Sequence, residues 1–200
     1  MRAKALGMAL LTGLSGPASA TELELGTTIL PPYQTERNGQ LEGRSVDTLN
    51  CVFTQLKPSW RGRVLPWPRA RVEMEAGQLD GFFSAMPDPE AEPHAARSAP
   101  LALEKWYWFA RDSEIFQQEQ FPEEQRLGAL QDSTTLAWLR REGIHPDTVV
   151  ATPKQLIKLL ETGRIDTYIA DIRVVRTAAE ELALSPDQYA ARFHRYMPLV

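Results

Sequence analysis

The chain has 200 residues, a formal net charge of −4 from 22 basic and 26 acidic residues, and a single Cys. A mildly acidic balance with scattered charges carries no electrostatic footprint for nucleic acid or an anionic membrane surface. One Cys excludes an internal disulfide and a Cys-based metal site, while the length allows one or two small domains with a real core.

Arg2 and Lys4, an apolar run over 5–14 and then Ala18-Ser19-Ala20 form the three-part pattern of a secretory signal peptide, too short for a membrane span. Residues 1–20 are expected to be cleaved, which takes the charge from −4 to −6. No Cys follows the cleavage site, so no lipid anchor is expected, and the mature chain should be exported and soluble. The stretch 22–30 alternates Leu and Ile with charged or small residues and stops at Pro31-Pro32. It predicts a first strand ending in a loop that presents Tyr33. Asn38-Gly39 and Gly43 mark turns around 40–42. Val46, Leu49, Val52, Phe53 and Leu56 share one helical face, closed by Lys57-Pro58. A short strand over 63–65 runs into Pro66-Trp67-Pro68-Arg69, where a second helix starts with a proline in its first turn. Gly77 ends that helix and 80–85 reads as the third strand.

The Pro-rich stretch 86–100 reads as a loop. The aromatic run 101–109 predicts a strand that leaves one unit for the next, and 112–124 reads as a polar excursion with little to bury. A strand over 126–130 leads to Asp132-Ser133-Thr134, which suits a helix N-cap, with Leu136 and Leu139 starting an apolar face that ends at Gly143. A strand at 148–151, a helix capped by Thr152-Pro153 and stopped at Gly163, and a strand at 165–170 follow. Val174, Val175, Ala178, Ala179 and Leu182 make another helix face. The stretch 192–200 predicts a last strand with which the sequence ends, closing nothing.

One stretch occurs twice: Gly77-Gln78-Leu79-Asp80-Gly81-Phe82-Phe83 and Gly163-Arg164-Ile165-Asp166-Thr167-Tyr168-Ile169. Each reads as helix stop, turn and short apolar strand, and each closes a strand–helix–strand–helix–strand block. Two copies predict an α/β protein with two similar lobes, mostly parallel sheets and flanking helices. Ligands bind outside the carboxyl ends of such strands. That rule groups Tyr33, Trp67, Ser84, Ser133, Thr134 and Asp171 at one surface, with the polar and aromatic character of a small-molecule site.

Taken in order, Pro31-Pro32-Tyr33, Gly39 to Gly43, Asp47, Pro66-Trp67, the Gly77 to Ala85 strand, Ser98-Ala99-Pro100-Leu101, Arg126-Leu127-Gly128, Ser133-Thr134 and Gly163 to Asp171 resemble the bacterial extracellular solute-binding proteins of family 3. These are the periplasmic receptors of amino-acid-type ABC importers. No single motif carries the resemblance; the ordered set does, over nearly all of 21–200. It implies a type II periplasmic-binding-protein-like fold with one lobe at 21–103 and the other at 104–200, including a crossing strand. The return crossing and the terminal part of the first lobe would be truncated. It implies a monomeric, non-enzymatic periplasmic receptor that hands a small polar ligand (an amino acid or a related amine or organic acid) to an inner-membrane ABC permease, with no cofactor.

The resemblance also implies roles. Trp67 packs on the ligand and the loop at 30–33 lines the other side. Ser84, Ser133 and Thr134 take its carboxylate, and Asp171 receives its ammonium group. The family's carboxylate-clamping Arg falls here at Glu92 or Ala91, which departs from the pattern; Arg69 or Arg97 could substitute. An enzyme on the same scaffold, dehydratase or glycan-cleaving, is the alternative reading, with Glu92 as its acid or base. A sensory module or decayed receptor is another.

Plainer roles stand beside these. Asp171 suits a cap for the helix that follows it, Arg69 an exposed helix surface, and Trp67 a core position. Asp80 and Asp166 read as turn carboxylates, and Trp106, Tyr107 and Trp108 as strand packing. Cys51 lies opposite an apolar helix face, and His94, His145 and His194 are scattered, so neither a thiol nucleophile nor a zinc site is expected.

Overall fold

The computed structural model describes residues 22–86 and 93–200. The expected leader at 1–20, and Ala91 and Glu92, lie outside the described residues. In chain order the first unit holds β1 (Leu23–Thr27), a hairpin of β2 (Thr35–Arg37) and β3 (Gln40–Glu42), α1 (Arg44–Leu56), β4 (Trp60–Val64), α2 (Trp67–Glu75) and β5 (Gly81–Phe82). The second holds β6 (Ala102–Ala110), β7 (Leu127–Leu130), α3 (Thr134–Arg141), β8 (Thr148–Val150), α4 (Pro153–Glu161), β9 (Thr167–Asp171), α5 (Ile172–Glu181) and β10 (Ala190–Leu199).

The repeated stretch has a structural counterpart. In the first sheet β1 lies between β4 and β5, parallel to both, and in the second β7 lies between β8 and β9, again parallel to both. Gly77 and Gly163 take φ of 68° and 64° where α2 and α4 must stop, a region that costs glycine little. The Asp that follows each makes the same two-sided clamp. Asp80 donates its backbone N–H to the Glu24 carbonyl at 2.9 Å and accepts the Glu24 N–H on its carboxylate at 2.7 Å. Asp166 does the same with Arg126, at 2.8 and 3.0 Å, and the Arg126 guanidinium adds a bond to its Oδ2 at 2.8 Å. Both are structural carboxylates, and Arg126 holds Asp166 below the usual carboxylate range. Close packing repeats as well. A Cβ on Gly26 of β1 would lie 2.9 Å from Leu79, and one on Gly128 of β7 would lie 2.6 Å from Ile165.

The larger core is in the second lobe. Leu156, Ile157 and Leu160 of α4 and Val175, Ala178 and Ala179 of α5 bury one stripe each against Phe109 and Tyr168, whose rings stack 5.3 Å apart. Each such Leu or Ile contributes about 1.5–3 kcal/mol on burial. On the other face of the sheet Trp106, Trp108 and Trp138 pack edge to face. In β6 the alternating pattern buries Glu104 together with Trp106 and Trp108.

Four expectations change. The segment 40–42 is a strand of a hairpin, because the Asn38-Gly39 turn, with φ of 52° and 76°, returns the chain antiparallel. The third strand is confined to Gly81–Phe82, since Ser84 takes φ 60° and breaks the extended run. The segment 112–124 has aromatic anchors after all: Phe121 packs edge-on to Trp108 at 5.1 Å, Phe116 packs on Phe121, and the Arg192 guanidinium lies 4.4 Å over the Phe121 ring. Lastly, β10 runs antiparallel along all of β6, and past its end Val200 exchanges two backbone hydrogen bonds with Ala85 of the first lobe, at 2.9 and 3.1 Å. The strand expected to close nothing therefore returns to the first lobe. No helix among the described residues is long and apolar enough to cross a membrane.

Candidate functional site

The carboxyl ends of β1 and β4 in one lobe and of β7 and β8 in the other face a common cleft of about 300 Å³. The first lobe supplies Thr28 to Pro31, after β1, and Val64 to Trp67, at the end of β4. The second supplies Leu130 to Thr134, after β7, with Ala151 and Pro153 after β8. Trp67 is held there by Phe82, whose ring it meets edge-on at 5.6 Å. Ser133 caps α3: its hydroxyl accepts the Leu136 N–H at 3.1 Å and donates to the Leu130 carbonyl at 2.7 Å. That cap satisfies one of the orphan amides at the helix start, which stands at the cleft wall through Ser133 and Thr134. No Arg, Lys or His is among the described residues that line the cleft; Asp132 is the one charged residue there.

The remaining residues of the expected site lie elsewhere. Arg69 projects from α2, two-thirds exposed, and pairs with Glu73 at 2.7 Å. Ser84 is 1% exposed, and its hydroxyl donates to Ser45 Oγ at 2.6 Å. Tyr33 is fully buried among Leu30, Ala102, Val174 and Leu199, and its phenolic oxygen accepts a hydrogen bond from Arg173 at 3.0 Å. The turn that begins at Leu30, with Tyr33 N–H bonded to the Leu30 carbonyl at 2.8 Å, points that ring inward rather than to the cleft surface. Burial, reinforced by the Asp171 charge, pushes its hydroxyl well above the usual tyrosine range. Asp171 is 3% exposed and caps α5: Oδ1 accepts from Arg173 N–H at 2.8 Å and Val174 N–H at 3.3 Å, and Oδ2 accepts from Lys105 N–H at 2.6 Å. Three of the roughly four acceptor positions of that carboxylate are already used by backbone.

The residue that the sequence reasoning missed is Glu104. It is 2% exposed in β6, and its Oε2 accepts from the Trp106 indole N–H at 2.7 Å and from the Thr134 hydroxyl at 3.4 Å. Burial first, and then the Asp171 charge, push its carboxyl up to about 7, against the two hydrogen bonds and the Arg173 guanidinium, which pull it down. Through Thr134 it lies directly behind the cleft wall. Strict alternation through Glu104, Trp106 and Trp108 was the available signal.

No family model matches the chain, and the search of curated proteins returns no relative. Solved structures do match. A histidine kinase sensor domain with similarity to periplasmic binding proteins superposes with a TM-score of 0.73 at 16% identity, over 90% of this chain and 80% of that one. The fold is that of a two-lobed periplasmic binding protein. The arginine-, lysine-, histidine-binding protein ArtJ from Geobacillus stearothermophilus gives a TM-score of 0.64 at 16% identity, over 89% of this chain and 82% of that one. An ABC uptake transporter substrate-binding protein from Streptococcus pneumoniae, with bound histidine, gives 0.68 at 15% identity, over 88% and 77%. In this periplasmic-binding-protein fold the cleft surface belongs to Trp67, Ser133, Thr134 and the loop at 28–31, while Tyr33, Ser84, Glu104 and Asp171 are buried outside its lining.

Proposed function

We propose that the protein is an exported receptor that captures a small polar ligand between its two lobes and delivers it to an inner-membrane importer of the ABC type. The observation that carries the reading is the cleft itself. Residues at the carboxyl ends of strands from both sheets converge on it, with an aromatic wall at Trp67 and a capped helix start at Ser133 and Thr134 on the opposite side. A ligand touching both walls gains more contact in a closed arrangement than in an open one, so binding shifts the open–closed equilibrium. The cleft is read as binding rather than catalytic because the similar solved structures include an arginine-, lysine-, histidine-binding protein and a substrate-binding protein with bound histidine.

A second reading, a sensory module of the same build, is favoured by the likeness to a kinase sensor domain. Both readings require a ligand. A thermal-shift screen of the purified protein against amino acids, amines, organic acids and short peptides should give at least one stabilising compound. Trp67→Ala should then weaken that compound at least about tenfold, by removing an aromatic wall. A screen without a hit, or a hit whose affinity ignores Trp67→Ala, counts against a receptor working through this cleft.

A further inference from the structure

We propose that Glu104 is the charge-recognising group of this cleft, and that the ligand is a small organic cation (an amine or guanidine) held by that carboxylate whether or not it also carries a carboxylate of its own. This deepens the receptor reading above and rests on it.

Among the described residues, Glu104 has no charged partner in hydrogen-bond contact. A buried carboxylate is strongly unfavourable unless a cation and full hydrogen bonding compensate it. Glu104 is as buried as Leu127 and Leu156 of the core, at 2% exposed, yet both donors on its Oε2, the Trp106 indole and the Thr134 hydroxyl, are neutral. Among the charged and titratable groups around it, Arg173 acts on it as a cation only through space, without a hydrogen bond to the carboxylate. From β9 and α5, Asp171 adds a second negative charge, and the Arg173 guanidinium is committed to Tyr33 Oη and the Leu103 carbonyl, each at 3.0 Å. From the loop after β1 comes only the neutral Tyr33 phenol. Opposite Glu104 on β10 stands Met197, with Tyr196 and Arg195 beside it; Arg195 lies over the Trp138 ring at 5.0 Å. Its neighbour Lys105 lies over Tyr196.

The one neutral group between this carboxylate and the cleft is the Thr134 hydroxyl, which touches both. In the proposed complex that hydroxyl turns away from Oε2, and the ligand cation becomes the direct charged hydrogen-bond partner that the Trp106 indole and the Thr134 hydroxyl are not. Burial keeps much of Glu104 protonated near neutral pH. Uptake of a cation therefore expels a proton from the carboxyl. Arg or Lys lining that would favour a carboxylate is absent among the described residues, so the acid at the floor decides the charge preference.

The test is isothermal titration calorimetry of the purified protein with agmatine, putrescine and arginine as cations, and glutamine and glutamate as neutral and anionic controls. Agmatine is arginine without its carboxylate. The expected result is that agmatine binds within about threefold of arginine and at least about tenfold tighter than glutamine. Its affinity should rise by roughly tenfold between about pH 6 and about pH 8, as Glu104 ionises. Titrations near pH 6.5 in two buffers of different ionisation heat should show release of roughly half a proton or more per ligand bound. Glu104→Gln should lose both the pH dependence and the proton release. The proton count on the unmodified protein stands even if that variant folds poorly. Tighter binding of glutamine or glutamate, cation binding without proton release, or binding by none of the three cations overturns the proposal. A neutral or anionic hit in the broad screen then leaves the receptor reading standing, whereas a screen with no hit removes both.

Discussion

Glu104→Gln makes a prediction about stability that needs no ligand. In the unfolded chain this carboxyl ionises near its ordinary 4.5, and in the folded protein near about 7. Folding therefore makes the ionised form less favourable by about 3 kcal/mol, taking 1.4 kcal/mol for each pH unit. The folded state binds the proton more tightly, so the Glu104 contribution is most favourable below about pH 4.5 and is lost as pH rises towards about pH 7. Gln keeps an oxygen for the Trp106 indole and the Thr134 hydroxyl and never ionises. Urea unfolding followed by tryptophan fluorescence, at intervals from about pH 4.5 to about pH 8, should give a variant whose advantage over the parent grows steadily to about 3 kcal/mol. Other titrating groups affect both proteins alike and cancel in the difference. An advantage that stays constant with pH would refute the reasoning, because it would mean that Glu104 ionises in the folded protein as it does in the open chain.

Ser133→Ala removes the α3 cap and the bond to the Leu130 carbonyl, and should cost about 1 kcal/mol in thermal unfolding; an unchanged melting temperature would contradict the cap geometry. Asp171→Ala strands three backbone N–H groups in a buried layer and should cost about 3 kcal/mol or more, so its effect on ligand affinity must be measured where the variant is still folded. Full parental stability in that variant would argue against the observed cap. Burial against Trp108 and Trp138, with Arg195 and Arg192 nearby, depresses His194 below the usual histidine range. The stability that its neutral form provides is present above about pH 6.5 and is lost as pH falls through the depressed value. His194→Phe should flatten that acid limb in a pH series of melting temperatures, and parallel acid limbs would dispose of the assignment.

The two-unit plan was legible in the sequence because it is written locally. A glycine that must adopt positive φ, an Asp three residues on, and a short apolar strand are fixed by neighbours along the chain, and they occur twice. The caps at Ser133 and Thr152 were readable for the same reason. What the sequence hid depends on partners far away. Tyr33 followed a proline pair and read as a loop residue facing the cleft, yet its ring is drawn inward by Arg173, 140 positions later. Phe116 and Phe121 sat in an acidic stretch and gave no periodic signal, since their partners are Trp108 and Arg192. Glu104 is a different kind of omission. Its stretch read as an apolar run, and the period of two that aligns it with Trp106 and Trp108 marks a buried acid without any tertiary information.

The exchange of hydrogen bonds between Val200 and Ala85, beside the bond from Leu101 to the Leu199 carbonyl, has a mechanical consequence. Three chain segments lie side by side there, so the end of one lobe's sheet is stitched laterally to the start of the other's. A stitched ribbon of this kind resists stretching and sliding but bends readily across its plane. A swing of one lobe on the other would have to bend the chain at Ala85, Leu199 and Leu101. Stiffness along that seam, set by residues that never meet the ligand, becomes a means of tuning how readily the cleft shuts.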